Sequence, residues 1–261
     1  MRGDYYATTA RHYDPSVEAD AALRDLGFWL DLAQEVEGPI LEVACGTGRV
    51  LLPVARAGRS IDGLDVTPSL LEVLRAKLSL EPPEVQARVQ LHEGDMRDFS
   101  LERRYSLIML PFRPFQHMLT LDDQQRAMDC LAHHLQPGGR LALNVFYPKS
   151  VILEDLGQER EEQSWVDPVD PTVTVTRSFL GRAHHKLHQY FEAEFIFRSY
   201  RDGELIAEER SALNLAYFTY PHMVLLLRGA GLRVVAEYGS FDKEPIEICK
   251  EMIFVAEKPI V

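Results

Sequence analysis

LEVACGTGRV, from Leu41 to Val50, is the stretch on which the reading of this chain turns. An apolar run of strand character stops at Gly46 and Gly48, and a helical pattern follows from Arg49 to Ala57. Glycine has no Cβ, so a strand, a glycine turn and a helix start let another molecule come close to the backbone. Three kinds of ligand use such a turn: a nucleoside triphosphate, a dinucleotide, and a different molecule with a nucleoside at one end. A triphosphate loop needs Lys and then Ser or Thr after its last glycine, whereas Gly48 is followed by Arg49 and Val50, and that reading fails. A dinucleotide turn needs a third Gly or Ala where this chain has Leu51, which weakens it, although Asp65 lies near the distance of a ribose-binding acid.

Outward from the turn, short apolar runs alternate with helical patterns, the signature of βαβ units around a parallel sheet. Strands are predicted at PILEVA, SIDGLDV, RVQLHEG, YSLIMLP and GRLALNVFY. Helices are predicted at Ala19 to Val36 (with Leu23, Leu26, Leu30 and Ala33 on its apolar face), at Arg49 to Ala57, at Pro68 to Leu78 behind an N-capping Thr67, and at Leu121 to Leu135, ended by Pro137, Gly138 and Gly139. Residues 157–171, GQEREEQSWVDPVDP, are charged and carry two prolines, and read as a loop. TVTVTRSF, HQYFEAEFIFRSY and LIAEERSALNLAYF then form an antiparallel insert, with Asp202-Gly203 as a hairpin turn. A helix from Pro221 to Arg228 and strands in LRVVAEYGSF and KEMIFVAEKP close the chain.

Composition limits the partners. A chain of 261 residues, 46% hydrophobic, can bury a full core, and its net charge of -12 disfavours a nucleic-acid groove, so a small molecule is the expected partner. Cys45, Cys130 and Cys249 are too few and too widely spaced for a disulfide framework or a zinc site. His184, His185 and His188 read as solvated strand residues, and no metal is expected. With no apolar run of about 20 residues and no signal core in MRGDYYATTARHYD, a cytoplasmic protein with no membrane partner is expected. The oligomeric state is not legible.

ILEVACGTGRV resembles motif I of the class I S-adenosylmethionine-dependent methyltransferases, in which an acid is followed by three alternate small positions; here these are Glu42, Ala44, Gly46 and Gly48, with Cys45 and Arg49 between and after them. Ala44 departs mildly from the usual glycine. The resemblance continues in order through GLDVTPSLLEVLRAK, GDMRDF, YSLIMLPFRPFQHM and HLQPGGRLALNVFYP. It implies a Rossmann-like α/β fold: a seven-stranded, mostly parallel sheet flanked by helices (residues 1–148 and 220–261), with an antiparallel β insert (149–219) after the fifth strand that covers the acceptor. It also implies S-adenosylmethionine as cofactor, with Asp65 and Val66 at the ribose, Gly94, Asp95 and Met96 at the adenine, Leu110 at the end of the fourth strand, and Arg49 near the methionine carboxylate. YYATTARHYD, with Tyr5, Tyr6 and Tyr13, is similar to the segment that folds over the methionine end.

A sulfonium methyl is already activated, so such an enzyme chiefly aligns the acceptor and excludes water. The expected activity is methyl transfer to oxygen or nitrogen of a small molecule. His117 is the candidate base, Tyr13 a hydrogen-bonding partner of the acceptor, and Arg113 an anchor for an anionic group on it. The aromatic set Phe191, Phe195, Phe197, Tyr200, Tyr217 and Phe218 is either the apolar face of the insert or part of the acceptor pocket. A non-catalytic S-adenosylmethionine-binding protein and a nicotinamide-dependent oxidoreductase are the alternatives; the second gives no reason for Asp95 and Met96.

Overall fold

The computed structural model describes residues 9–19, 24–146, 156–248 and 251–260. Contacts divide the chain into two units: Asp25–Tyr147 with Ala216–Val261, and Met1–Arg24 with Pro148–Leu215. Residues 9–19, read above as part of the α/β core, thus group with the antiparallel segment. Tyr5 and Tyr6 lie outside the described residues.

The α/β unit is built on seven strands: β1 (Ile40–Val43), β2 (Ile61–Asp65), β3 (Val89–Glu93), β4 (Tyr105–Leu110), β5 (Leu135–Val145), β10 (Arg233–Tyr238) and β11 (Met252–Glu257). Their order is β10-β11-β5-β4-β1-β2-β3. β1 pairs in parallel with β2 on one side and β4 on the other, and β11 runs antiparallel between β5 and β10. From β1 the chain builds outward first to β2 and β3 and later to β4 and β5. The gap between β1 and β4 is therefore the topological switch point, where open α/β sheets bind ligands at the carboxyl ends of their strands. β1, β2 and β4 are buried along their whole length, which explains the mostly apolar sequences of β1 and β4.

The helices of this unit are α2 (Leu26–Gln34), α3 (Leu51–Arg56), α4 (Pro68–Ser79), α5 (Pro83–Gln86), α6 (Leu121–His134) and α7 (Tyr220–Gly229). Thr120 caps α6 by accepting the Asp123 N–H, with Asp122 and Asp123 in its first turn and His133 and His134 in its last. Two expectations are corrected. α2 is shorter than the pattern from Ala19 to Val36, and its buried face is Phe28, Trp29, Leu32 and Ala33, while Leu26 and Leu30 only flank the core. α6 ends at His134, before Pro137-Gly138-Gly139, because that backbone is taken into β5: the Gly138 N–H donates to Lys258 O at 2.8 Å and the Lys258 N–H to Gly139 O at 2.9 Å.

The second unit holds α1 (Ala10–Glu18) and the antiparallel sheet β6 (Glu159–Val166), β7 (Val173–His185), β8 (Tyr190–Arg201) and β9 (Glu204–Ala216), in that order. The stretch read as a loop is thus largely the edge strand β6, paired with β7 from Glu159↔Leu180 to Val166↔Thr174. Its many charges suit an edge strand that water reaches. Asp202 and Gly203 both have positive φ, +51° and +82°, as a two-residue hairpin turn requires. α1 carries a buried His12 whose ring stacks on Phe197 with centroids 4.8 Å apart and whose Nε2 lies 2.8 Å from Glu209 Oε2. Phe191 and Phe197 are buried within this unit, whereas Phe218 lies against Phe115 in the α/β unit, at 5.4 Å. His185 meets Glu192 at 2.8 Å, and no group of three metal-ligating side chains occurs among the described residues.

Candidate active site

The turn after β1 owes its shape to left-handed backbone. Ala44, Gly46 and Gly48 have φ of +58°, +53° and +84°. Ala44 adopts a conformation that costs an L-residue about 1–2 kcal/mol, a cost that the glycine usual at this position would avoid. Gly48 has no such latitude, since a Cβ on it would lie 2.3 Å from Leu74 Cδ1 of α4. Gly63 of β2 has the same role from the other side: a Cβ there would meet Leu51 Cδ1 at 2.5 Å and Cys45 Sγ at 2.8 Å. Buried in this packing beside Asp65 and Glu42, Cys45 has a thiol pushed well above its ordinary pKa, chiefly by desolvation.

Asp65 ends β2 beside the turn and is buried. Its Oδ2 accepts the Gly46 N–H at 2.8 Å and its Oδ1 the Thr67 N–H at 2.8 Å, so one carboxylate fixes both the glycine turn and the start of α4. Desolvation raises its pKa, and those two N–H groups oppose the rise. The Gly94 N–H donates to Asp65 O at 2.9 Å, bringing the end of β3 alongside. Asp95 is buried and chelated by Arg97, whose Nε donates to Oδ1 at 2.9 Å and whose Nη2 to Oδ2 at 2.5 Å; Arg97 also reaches Asp123 of α6 at 2.9 Å. Met96 is half-buried beside it, and Val66 is exposed.

Glu42 is buried, and its Oε2 has no hydrogen-bonding partner among the described residues. Burial pushes its pKa up to about 8; Arg49 opposes the shift, and Asp25 and Asp65 add to it. Arg49, expected near a ligand carboxylate, is instead gripped by Asp25 at 2.6 and 2.7 Å. Trp29 Nε1 holds the same Asp25 at 2.9 Å. The salt bridge neutralises Arg49 within the fold, so its role as a ligand anchor is weakened.

Leu110 is fully buried at the end of β4. Phe112 and Arg113 follow with φ of +67° and +68°, and a short 3-10 turn spans Pro114–His117. Arg113 is also claimed from within: its Nε donates to Glu251 Oε1 at 2.9 Å, its Nη2 reaches the same oxygen, and its guanidinium lies 5.3 Å from the Phe146 ring centroid. Arg113, expected to anchor an anionic group on the acceptor, thus already holds a carboxylate of its own chain. His117 is accessible to solvent and has no hydrogen bond to a described residue, yet the protein packed around it disfavours the cation and pushes its pKa down to about 4. Tyr13 belongs to α1, in the other unit.

The structure therefore brings Glu42, Ala44, Cys45, Gly46, Gly48, Arg49 and Asp65 together around one turn, with Gly94 and Asp95 at the neighbouring strand end. Several residues that complete the site were not singled out from sequence: Asp25, Gly63, Arg97, Asp123, Glu251 and Gln116. Gln116 is fully buried, donates to Ala216 O at 2.8 Å and accepts the Phe146 N–H at 3.0 Å. It so ties the turn before His117 to the segment leaving β5 and to the one returning at Ala216. Only the Asp25 to Trp29 spacing, one helical turn, left a readable trace.

Residues 40–139 match the model of a family described as "Methyltransferase domain". A dTDP-3-amino-3,6-dideoxy-alpha-D-glucopyranose N,N-dimethyltransferase of Streptomyces fradiae is 35% identical over 108 residues, 41% of this chain and 39% of that protein. The aligned part is thus about two fifths of that relative's length. A cypemycin N-terminal methyltransferase of a Streptomyces species is 25% identical over 88% of this chain and 87% of its own. Among solved structures, the CcbJ methyltransferase of Streptomyces caelestis superposes with a TM-score of 0.79 at 22% identity, covering 100% of both chains, which shows a shared fold.

Proposed function

We propose that this chain, which belongs to the S-adenosylmethionine-dependent methyltransferases of class I fold, transfers a methyl group to the amino nitrogen of a small molecule, with an amino sugar as the first acceptor class to test. The observation that carries the reading is Asp65, a buried acid at the carboxyl end of β2 that also shapes the glycine turn at the switch point of the sheet. The nitrogen preference comes from the activities of the relatives, a dTDP-amino-sugar N,N-dimethyltransferase and a cypemycin N-terminal methyltransferase.

The residues present fit the cofactor. Asp65 is a buried acid at the end of β2, Asp95 is fixed by Arg97 at the next strand end, and Glu42 is a buried acid whose Oε2 has no hydrogen-bonding partner among the described residues. When bound, S-adenosylmethionine supplies a methyl group on sulfur that needs no further activation. The protein's part is to hold the acceptor nitrogen in line and keep water away. An imidazole with a pKa of about 4 is neutral near pH 7 and too weak to strip a proton from an ammonium group. His117 is better suited to accept a hydrogen bond from a neutral amine and so aim its lone pair. The roles of Tyr13 and of residues 149–219 in holding the acceptor rest on the sequence resemblance.

Calorimetry with S-adenosylhomocysteine, followed by turnover against amino sugars, sugar nucleotides with amino groups, and short peptides with free N-termini, tests the reading. Asp65→Ala should weaken cofactor binding by about 1.5–3 kcal/mol, the range for hydrogen bonds to a charged group. Unchanged affinity in this variant would remove Asp65 from the site. Binding without turnover on any amine would favour a non-catalytic binding protein, and binding of NADH instead would favour an oxidoreductase.

A further inference from the structure

Three acids step across the carboxyl edge of the sheet: Asp95 after β3, Asp65 at the end of β2, and Glu42 in β1. If the adenine lies at the first and the ribose at the second, as the proposed function has it, the amino-acid end of the cofactor falls at the third, beside the gap between β1 and β4. That end carries an ammonium group. Glu42 is the acid it meets there, and Glu42 is only 3% exposed, with its Oε2 unpartnered among the described residues.

The groups facing Glu42 explain why it waits for a cation. Arg49, just ahead of α3, is a positive charge that acts on it, and that guanidinium is already paired through two nitrogens with Asp25 ahead of α2. Asp25 and Asp65 are negative charges that disfavour a third, and Cys45 beside them holds a thiol that stays protonated. A buried carboxylate without partners costs several kcal/mol, so in the free protein the group keeps its proton.

We infer that Glu42 is protonated in the free protein and gives up its proton when the cofactor's ammonium group arrives, so that cofactor binding releases a proton and tightens as pH rises. The step breaks the carboxyl O–H bond; the proton passes to buffer, and the carboxylate left behind is neutralised by the incoming ammonium. The inference rests on the methyltransferase reading, and the experiment separates the two.

S-adenosylhomocysteine, which keeps the ammonium group, is titrated calorimetrically at pH 7 in phosphate and in Tris. The difference in observed heat between buffers counts the protons exchanged. For a group with a pKa of about 8, roughly 0.5–1 proton should be released per ligand bound. Between pH 6 and 7 the dissociation constant should fall by up to about tenfold. Glu42→Gln should bind more weakly, release close to no protons and lose the pH dependence. Binding by the unaltered protein with no proton exchange overturns the inference, as does equal release by Glu42→Gln. If Glu42→Gln does not fold, the two-buffer measurement on the unaltered protein decides alone. An absence of binding in either buffer at any pH removes the cofactor reading itself.

Discussion

Replacing Gly48 by Ala tests whether the turn is glycine for packing as well as for conformation. Its φ of +84° makes any L-residue strained, at about 1–2 kcal/mol. The added Cβ would lie 2.3 Å from Leu74 Cδ1 and 3.2 Å from Leu52 Cγ. Both leucines are buried, and forcing an extra methyl into such a contact costs about 1–3 kcal/mol more. Gly48→Ala should therefore lose about 2–5 kcal/mol, read from urea unfolding followed by far-UV circular dichroism. Leu74→Ala alone should cost about 2–5 kcal/mol through its cavity. In the double variant the new methyl enters the space Leu74 vacated, so that clash disappears and the backbone strain and the tight contact with Leu52 remain. The two changes should then couple favourably by about 1–3 kcal/mol. Additivity within about 0.5 kcal/mol would show that the Leu74 contact does not constrain the turn, and the packing argument would fall.

Three further outcomes follow from the same geometry. The folded protein holds a proton on Glu42 that the unfolded chain releases above pH 4.5, so the stability tied to that proton is whole below 4.5 and is lost as pH rises through about 8. Relative to Glu42→Gln, the unaltered protein should lose about 2.5 kcal/mol between pH 5 and 7 and roughly 1.5 more by pH 9; parallel denaturation curves for the two would refute it. Arg113→Ala leaves the buried Glu251 with Asn144 at 3.0 Å and without its cation, which should cost about 2–4 kcal/mol, toward the lower end because Arg113 is a third exposed. A stable Arg113→Ala protein with a raised KM for anionic acceptors would restore Arg113 as an anchor. His117→Gln should reduce turnover by about 10–100-fold with cofactor affinity unchanged, and should leave the acidic limb of the pH–rate profile in place, since that limb then belongs to the acceptor amine. Loss of the limb would make His117 the base after all.

Much of this protein is written in short-range pattern. Apolar runs, caps and glycines specify β1 to β5, α3, α4 and α7, because strand alternation, helix periodicity and turn conformation are properties of a few neighbouring residues. The same holds for the acids: Glu42, Asp65 and Asp95 each stand at a strand or its end, so the order of strands was enough to bring them together. What a charged side chain does once it is there was not legible. Arg49 and Arg113 read as free cations until the fold supplied Asp25, 24 residues away, and Glu251, 138 residues away. Similarly, Glu159–Val166 looked like a solvated loop, because an edge strand needs little apolar sequence when its neighbour β7 supplies the pairing. In each case the deciding free energy lies in a pairing between segments far apart in the chain, or in the burial that pairing imposes. Such terms are fixed only when the tertiary structure closes.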